Sequence, residues 1–284
     1  MSTESTSSAA STEPVSSESS GRPLGDETEM RSATETRRPP GSLSPARPSL
    51  SGRSRTVLGR GVALLVAVSL VVVAAGLGAA VVAGLVLAEL VPMDASAVVY
   101  AAVVTRLAFF GVAFAYVVRR LDGVDLRLPT RAERRWTLGG LLAALVLVFG
   151  ALTVGRFTGV DTATTLLRPF VVADPFILLL LGVASVFVVA PAEELLFRGA
   201  VQGRLGRSFG PTTRIVLASA LFAAVHALGF GFDPATAAFG LAVVFAVGVV
   251  LGTVYEGTEN LAVPVLVHGL YQAALFAVAV LVVV

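Results

Sequence analysis

Residues 191–199 read Pro-Ala-Glu-Glu-Leu-Leu-Phe-Arg-Gly, which places two adjacent carboxylates and one guanidinium inside a run that is otherwise apolar. A charged side chain near the centre of a bilayer costs at least about 2.5–3.5 kcal/mol, even on the most permissive insertion scale. Three ionisable groups in one short apolar segment therefore need partners elsewhere in the chain, or a function.

The composition indicates a polytopic membrane protein. Of the 284 residues, 55% are hydrophobic and 14% are charged, and the mean hydropathy is +0.85, whereas average chains have about 45–50% apolar and 25% charged residues. The chain has no cysteine, which excludes disulfides, thiolate metal sites and cysteine nucleophiles. The net charge of +2 is small and dispersed, so no nucleic-acid partner is expected.

The apolar runs predict an all-α fold, a polytopic transmembrane helical bundle preceded by a tail. Residues 1–56 hold few large apolar side chains and are interpreted as a disordered cytoplasmic tail. The transmembrane domain is expected over residues 57–284, because each apolar run approaches the roughly 20 residues that cross a bilayer. The predicted spans are 61–89, 96–118, 137–155, 175–199, 212–232, 236–255 and 261–283. A break near Gly76 and Gly78 would raise their number from seven to eight.

The arginines predict the orientation of the bundle, since basic residues collect in short cytoplasmic loops. All 21 basic residues are arginines, and under the seven-span scheme their clusters fall on one side of the membrane. The clusters lie in the tail, in the loop from Arg119 to Arg135 and in the loop from Arg204 to Arg214. We therefore expect an integral protein of the plasma membrane, surrounded by the lipid bilayer, with its N-terminus in the cytoplasm.

Both histidines of the chain, His226 and His268, fall inside predicted spans, as does the Glu-Glu pair. A single membrane histidine often makes only a helix-to-helix hydrogen bond, but two of them beside a glutamate pair predict a shared functional site. Glu194 and Arg198 are four residues apart and can form an ion pair on one helix face. Glu193 points about 100° away around the helix and is left without a counter-charge.

One carboxylate and two imidazoles are suited to activating water for hydrolysis. Glu193 can act directly as a general base, or Glu193, His226 and His268 can hold a zinc ion as a His2Glu ligand set. The cofactor is therefore a divalent metal such as zinc, or none. A serine nucleophile is not indicated, because Ser185 and Ser219 lie outside any Gly-x-Ser-x-Gly elbow. The predicted spans also contain no aspartate pair for aspartyl proteolysis.

The sequence resembles the CPBP family of intramembrane proteases, which includes the type II CAAX prenyl endopeptidases and the bacteriocin-processing, Abi-like proteins. Three motifs carry the resemblance, and they cover the motif core, about residues 175–284. The first motif, Glu-Glu-x-x-x-Arg, is matched by Glu193, Glu194 and Arg198. The second, Phe-x-x-x-His, is matched by Phe222 and His226, and the histidine of the third, His-x-x-x-Asn/Asp, is matched by His268. All three occur in the family's order, on separate predicted spans.

The resemblance implies an intramembrane endopeptidase that cleaves a membrane-associated protein or peptide by a glutamate-type or a metal-dependent mechanism. It implies that Glu193 and His226 activate the attacking water, while His268 and residue 272 form the oxyanion side. The implied structural supports are Glu194, Arg198 and Phe222. The earlier spans are expected to complete the helical bundle.

Gln272 departs from the third motif, which usually has Asn at this position. Glutamine keeps the amide donor but moves it one methylene further out, and a misplacement of about 1 Å can cost on the order of a hundredfold in rate. The alternative function is therefore a non-catalytic immunity or scaffold protein of the membrane on the same fold. A transporter is less favoured, because the chain shows no repeated half with interrupted spans. Arg106, inside the second span, is interpreted as a helix contact, with binding of a carboxylate or lipid head group as the alternative.

Overall fold

The computed structural model describes residues 52–87, 89–90, 96–160, 171–172, 174–231 and 233–283. Within these ranges the chain forms helices and no strand, which confirms the predicted all-α fold. The principal helices are α1 (Gly52–Leu87), α2 (Ser96–Arg120), α3 (Arg134–Thr158), α4 (Ile177–Gly206), α5 (Pro211–Ala224), α6 (Pro234–Thr258) and α7 (Ala262–Val283). Most of the predicted tail, residues 1–51, lies outside the described residues.

In the described part of the chain, six helices are long and apolar enough to cross a membrane, and α5 is not among them. The predicted span over 212–232 is therefore not confirmed as a long membrane-crossing helix. With 14 residues and a rise of about 1.5 Å per residue, α5 covers about 21 Å of a hydrocarbon core roughly 30 Å thick. The chain leaves the helix after Ala224, makes a short 3-10 turn at Ala227–Phe230 and reverses at Gly231, whose φ is 73°.

The possible break in the first span does not occur, because α1 is one continuous helix of 36 residues. Gly78 has a packing role instead. A Cβ at this position would lie 2.8 Å from a methyl group of Thr105 on α2, so glycine lets the two helices approach closely. The eight-span alternative is thereby excluded for this helix.

The helix α4 is the centre of the bundle and packs against α1, α2, α5 and α7. In its most apolar window, 61% of the residues are buried, against 11–39% in the other five candidate spans. It is an irregular helix, with π-helical turns at Ser185–Val189 and Leu195–Gln202 on either side of Ala190–Glu194. Pro191 has no N–H to donate, which interrupts the regular ladder at this place. Such π turns are frequent at functional sites.

The start of α1 and the segments that follow α2 and α4, all of which carry arginines, meet at one end of the bundle. Arg60 near the start of α1 donates to the Ser208 carbonyl oxygen at 3.5 Å, after the end of α4. Arg207 lies 4.0 Å from Asp122, which follows the end of α2. We name this side the basic end. That it faces the cytoplasm stays a prediction.

The loop between α2 and α3 lies at the basic end and is held in shape by hydrogen bonds to the carboxylate of Glu133. Glu133 accepts from the Arg127 guanidinium at 2.7 Å and from the Thr130 N–H and hydroxyl at 2.8 and 2.7 Å. The Arg127 hydrogen bond is the largest of the effects that lower the pKa of Glu133 to about 2. The buried Asn260 side chain, just before α7, bonds the backbone N–H and C=O of Arg127. The loop is thus tied to the start of α7.

We expect this loop to loosen in acid. The folded state lowers the pKa of Glu133 from 4.5 to about 2, so the stabilisation is complete above the unfolded value and is lost as the pH falls through the folded one. The protection factors of the 130–137 amides, which compare each exchange rate with that of an unstructured chain at the same pH, should therefore fall between about pH 4.5 and pH 2. The variant Glu133→Gln should exchange faster at neutral pH and lack this acid step. Equal acid steps in both proteins would contradict the assignment.

Candidate active site

Glu193 is fully buried on α4 and forms an ion pair with Arg106 of α2. Its Oε1 accepts from Arg106 Nη2 at 2.7 Å and from Arg106 Nε at 2.8 Å. The expectation that Glu193 lacks a counter-charge is therefore wrong, since the preceding helix α2 supplies one. Glu193 Oε2 has no hydrogen-bond partner among the described residues and lies 3.8 Å from His268 Nε2 of α7.

Glu194 is also fully buried, and its two oxygens bind Arg198 and His268. Its Oε2 accepts from Arg198 Nε at 2.9 Å, so the ion pair predicted from the four-residue spacing is present. Its Oε1 accepts from the Nδ1–H of His268 at 2.8 Å. A carboxylate that binds one imidazole nitrogen fixes the direction of the ring and of its other nitrogen. Glu194 is thus an orienting group for His268 as well as a partner of Arg198.

The ring of Phe222 contacts the rings of both histidines. The centroid of its ring is 4.8 Å from that of His226 and 5.8 Å from that of His268. The Arg198 guanidinium lies over the same ring at 5.4 Å, a cation–π contact. The three motifs of the sequence therefore meet around this buried phenylalanine.

His226 lies in the turn after α5 and is half-buried, while the site residues on α4 and α7 are deeply buried. Its Nδ1 donates to the Phe222 carbonyl oxygen at 2.8 Å. A carbonyl can only accept, so the proton of this bond belongs to Nδ1 and the neutral ring keeps an acceptor at Nε2. The end of α5 thus contributes a second, more accessible imidazole to the site, in contact with Phe222.

Gln272 follows His268 by one helical turn on α7 and is partly buried. Its side-chain Oε1 has no partner among the described residues. No other residue holds this amide by a hydrogen bond in the described part of the chain, in contrast to the imidazole of His268. Its oxyanion role, implied by the resemblance, stays a prediction.

Two neighbours of the site were not assigned to it from the sequence. Arg106 was interpreted as a helix contact, and the structure gives it that role with Glu193 as its partner. Tyr271 stacks on His268 with ring centroids 5.4 Å apart and planes 9° apart. The position of Arg106 inside an apolar span indicates that it needs a partner of opposite charge, since a lone charge in a bilayer is costly. Tyr271 carries no such signal, because aromatic residues are common in buried helices.

The arrangement of the described site residues does not favour a metal centre. Within the described ranges, no three His, Cys, Asp or Glu side chains are placed to hold a metal ion. The Arg106 guanidinium on Glu193 also puts a positive charge where a cation would approach. The zinc set of Glu193, His226 and His268 stays a prediction that this donor geometry does not favour.

Comparison with known protein families identifies the segment that holds these motifs. A family model described as type II CAAX prenyl endopeptidase Rce1-like matches residues 175–274. The match contains all the motif residues from Glu193 to Gln272. This part of the chain matches the Rce1-like family. The comparisons with curated proteins and with solved structures gave no match.

The Rce1-like domain begins just before α4 and ends within α7, so α1, α2 and α3 lie outside it. The family is a protease family, and the chain is thus a CAAX-protease-like integral membrane protein. The predicted family resemblance is confirmed. Arg106 on α2 reaches into the Rce1-like domain from outside it.

Proposed function

We propose that the protein is an intramembrane endopeptidase, in which Glu193 activates water to cleave a peptide bond of a membrane-associated protein or peptide. The pair of facing atoms Glu193 Oε2 and His268 Nε2, 3.8 Å apart, carries the proposal. Neither has a hydrogen-bond partner among the described residues. Arg106 holds the other oxygen of Glu193, and Glu194 holds the other nitrogen of His268. Two fixed, unpaired polar atoms in a buried site are suited to bind reacting groups.

In the proposed reaction, Glu193 Oε2 takes a proton from water while the water oxygen bonds to the peptide carbonyl carbon. The resulting tetrahedral intermediate loses its C–N bond, and the departing nitrogen receives the proton from Glu193. The products are a carboxylic acid and an amine, and transfer of the second water-derived proton from the acid to the amine leaves a carboxylate and an ammonium group. His226 orients the water, since its Nε2 can accept a hydrogen bond while Nδ1 stays bound to the Phe222 carbonyl.

His268 and Gln272 form the oxyanion side in this proposal. Because Nδ1–H of His268 already donates to Glu194, the ring can donate to an oxyanion only when Nε2 carries a second proton. The carboxylates of Glu193 and Glu194 stand on either side of the ring to balance that charge. The Gln272 amide would then supply a second donor.

The function is tested with the purified full-length protein in lipid vesicles, incubated with a library of membrane-associated peptides. Mass spectrometry of the products should detect cleavage by the wild type and about a hundredfold slower cleavage by His226→Ala, the lower range for loss of a group that assists proton transfer. Glu259→Gln is the control, because Glu259 is exposed at the end of α6 and this variant should cleave like the wild type.

Absence of cleavage by the wild type would favour the alternative, a non-catalytic immunity or scaffold protein. The observation behind that alternative is Gln272, which replaces the usual Asn and whose Oε1 is unpaired among the described residues. Cellular function that survives in His226→Ala but is lost with expression in Arg198→Ala would support it further. Equal cleavage by His226→Ala and wild type would contradict the role given to His226.

A further inference from the structure

The ion pair between Arg106 and Glu193 joins two parts of the chain that are 87 residues apart. Arg106 belongs to α2, outside residues 175–274 of the Rce1-like domain. None of the three motifs contains it. The contact therefore adds a guanidinium to the site, and no residue of the three motifs supplies this group to Glu193.

Glu193 needs a counter-charge, because its side chain is 0% exposed and an isolated carboxylate is costly in an apolar interior. Several groups surround it: Arg106 from α2, His226 from the turn after α5, His268 from α7 and Glu194 beside it on α4. The two imidazoles are charged only when protonated, and Glu194 has the same sign as Glu193. Arg106 is thus the permanent cation that directly contacts Glu193 in the described part of the chain.

The geometry of the ion pair also sets the direction of the carboxylate. Both Arg106 donors, Nε and Nη2, bind the same oxygen, Oε1. A guanidinium is a rigid fork, and this one also lies 5.7 Å from the ring centroid of Phe109. With Oε1 held, Oε2 faces His268 Nε2. The contact leaves one carboxylate oxygen for chemistry and fixes where it points.

We propose that Arg106 is a positioning residue, which holds Oε1 of Glu193 and thereby directs Oε2 into the site. The kinetic part of this proposal rests on the proposed endopeptidase function. The contact between Arg106 and Glu193 does not, since it can be observed without any substrate. Arg106 has a side chain that is 24% exposed, so it can be substituted without leaving a large cavity.

The first test is infrared spectroscopy of the full-length protein in vesicles at neutral pH. The spectrum of the wild type minus that of Glu193→Gln isolates the Glu193 band. In the Arg106→Gln background, the same subtraction, with Arg106→Gln/Glu193→Gln as reference, should give a band at a different frequency, because Oε1 has lost its two guanidinium donors. The same Glu193 band in both backgrounds would overturn the proposal, whether or not the protein cleaves peptides.

The second test is kinetic and uses Arg106→Lys, which keeps the charge but not the fork and is the variant to rely on if Arg106→Gln does not fold. We expect kcat about tenfold below the wild type for Arg106→Lys and about a hundredfold below it for Arg106→Gln, with KM changed less than twofold. Arg156→Lys is the matched control, because Arg156 is exposed on α3. An Arg106→Lys variant with wild-type kcat would overturn the positioning role. A wild type that cleaves nothing counts against the proposed function. In that case the infrared result alone tests whether Arg106 positions Glu193.

Discussion

Replacing Arg198 by methionine is expected to lower the free energy of unfolding by about 3–5 kcal/mol, the usual cost of removing one partner of a buried ion pair. Arg198 and Glu194 are both 0% exposed and 2.9 Å apart. Methionine keeps much of the length of the side chain but leaves the Glu194 charge with His268 as its remaining partner. Reversible unfolding in mixed micelles, followed by circular dichroism, measures the change.

The double variant Glu194→Gln/Arg198→Met separates the loss of charge balance from the loss of packing. A glutamine at 194 still offers an oxygen to His268 Nδ1 but carries no charge, so the double variant should recover a large part of the lost stability. Recovery smaller than the experimental error would mean that Arg198 stabilises mainly by its contacts, such as that with the Phe222 ring. A single variant as stable as the wild type would contradict the ion-pair account altogether.

Replacing Glu193 by glutamine is expected to reduce kcat by about 10²–10⁴-fold, the range that a general base contributes. Glutamine preserves the shape of the side chain and leaves an oxygen for Arg106, but it cannot accept a proton from water. The measurement is steady-state cleavage of the best peptide from the library, in vesicles. Glu259→Gln, at an exposed position, is the matched Glu-to-Gln control and should retain wild-type kcat.

The sequence predicted the parts of the fold and site that depend on local spacing. The pairing of Glu194 with Arg198 follows from four residues along a helix, and it survives in the structure although a π-helical turn begins at Leu195. The apolar runs located the six long helices for the same reason, because length and hydropathy are local properties. The helix predicted over 212–232 ends earlier, at Ala224, although apolar residues continue past this point.

The contacts that complete the site are long-range, and local patterns cannot predict them. Arg106 and Glu193 are 87 residues apart, and Glu194 and His268 are 74 apart. Which helices lie side by side depends on packing, such as the close approach of α1 and α2 at Gly78, rather than on periodicity. The sequence could therefore identify costly charges in the membrane but could not pair Glu193 with its cation.

The central claim is that Glu193 activates the water that cleaves the peptide bond. Its most direct measurement is cleavage in ¹⁸O-labelled water by the wild type and by Glu193→Gln, with mass analysis of the new C-terminus after a single turnover. We predict one ¹⁸O atom in the product carboxylate of the wild type and no product from Glu193→Gln within the same time. Labelled product formed by Glu193→Gln at the wild-type rate would contradict the claim.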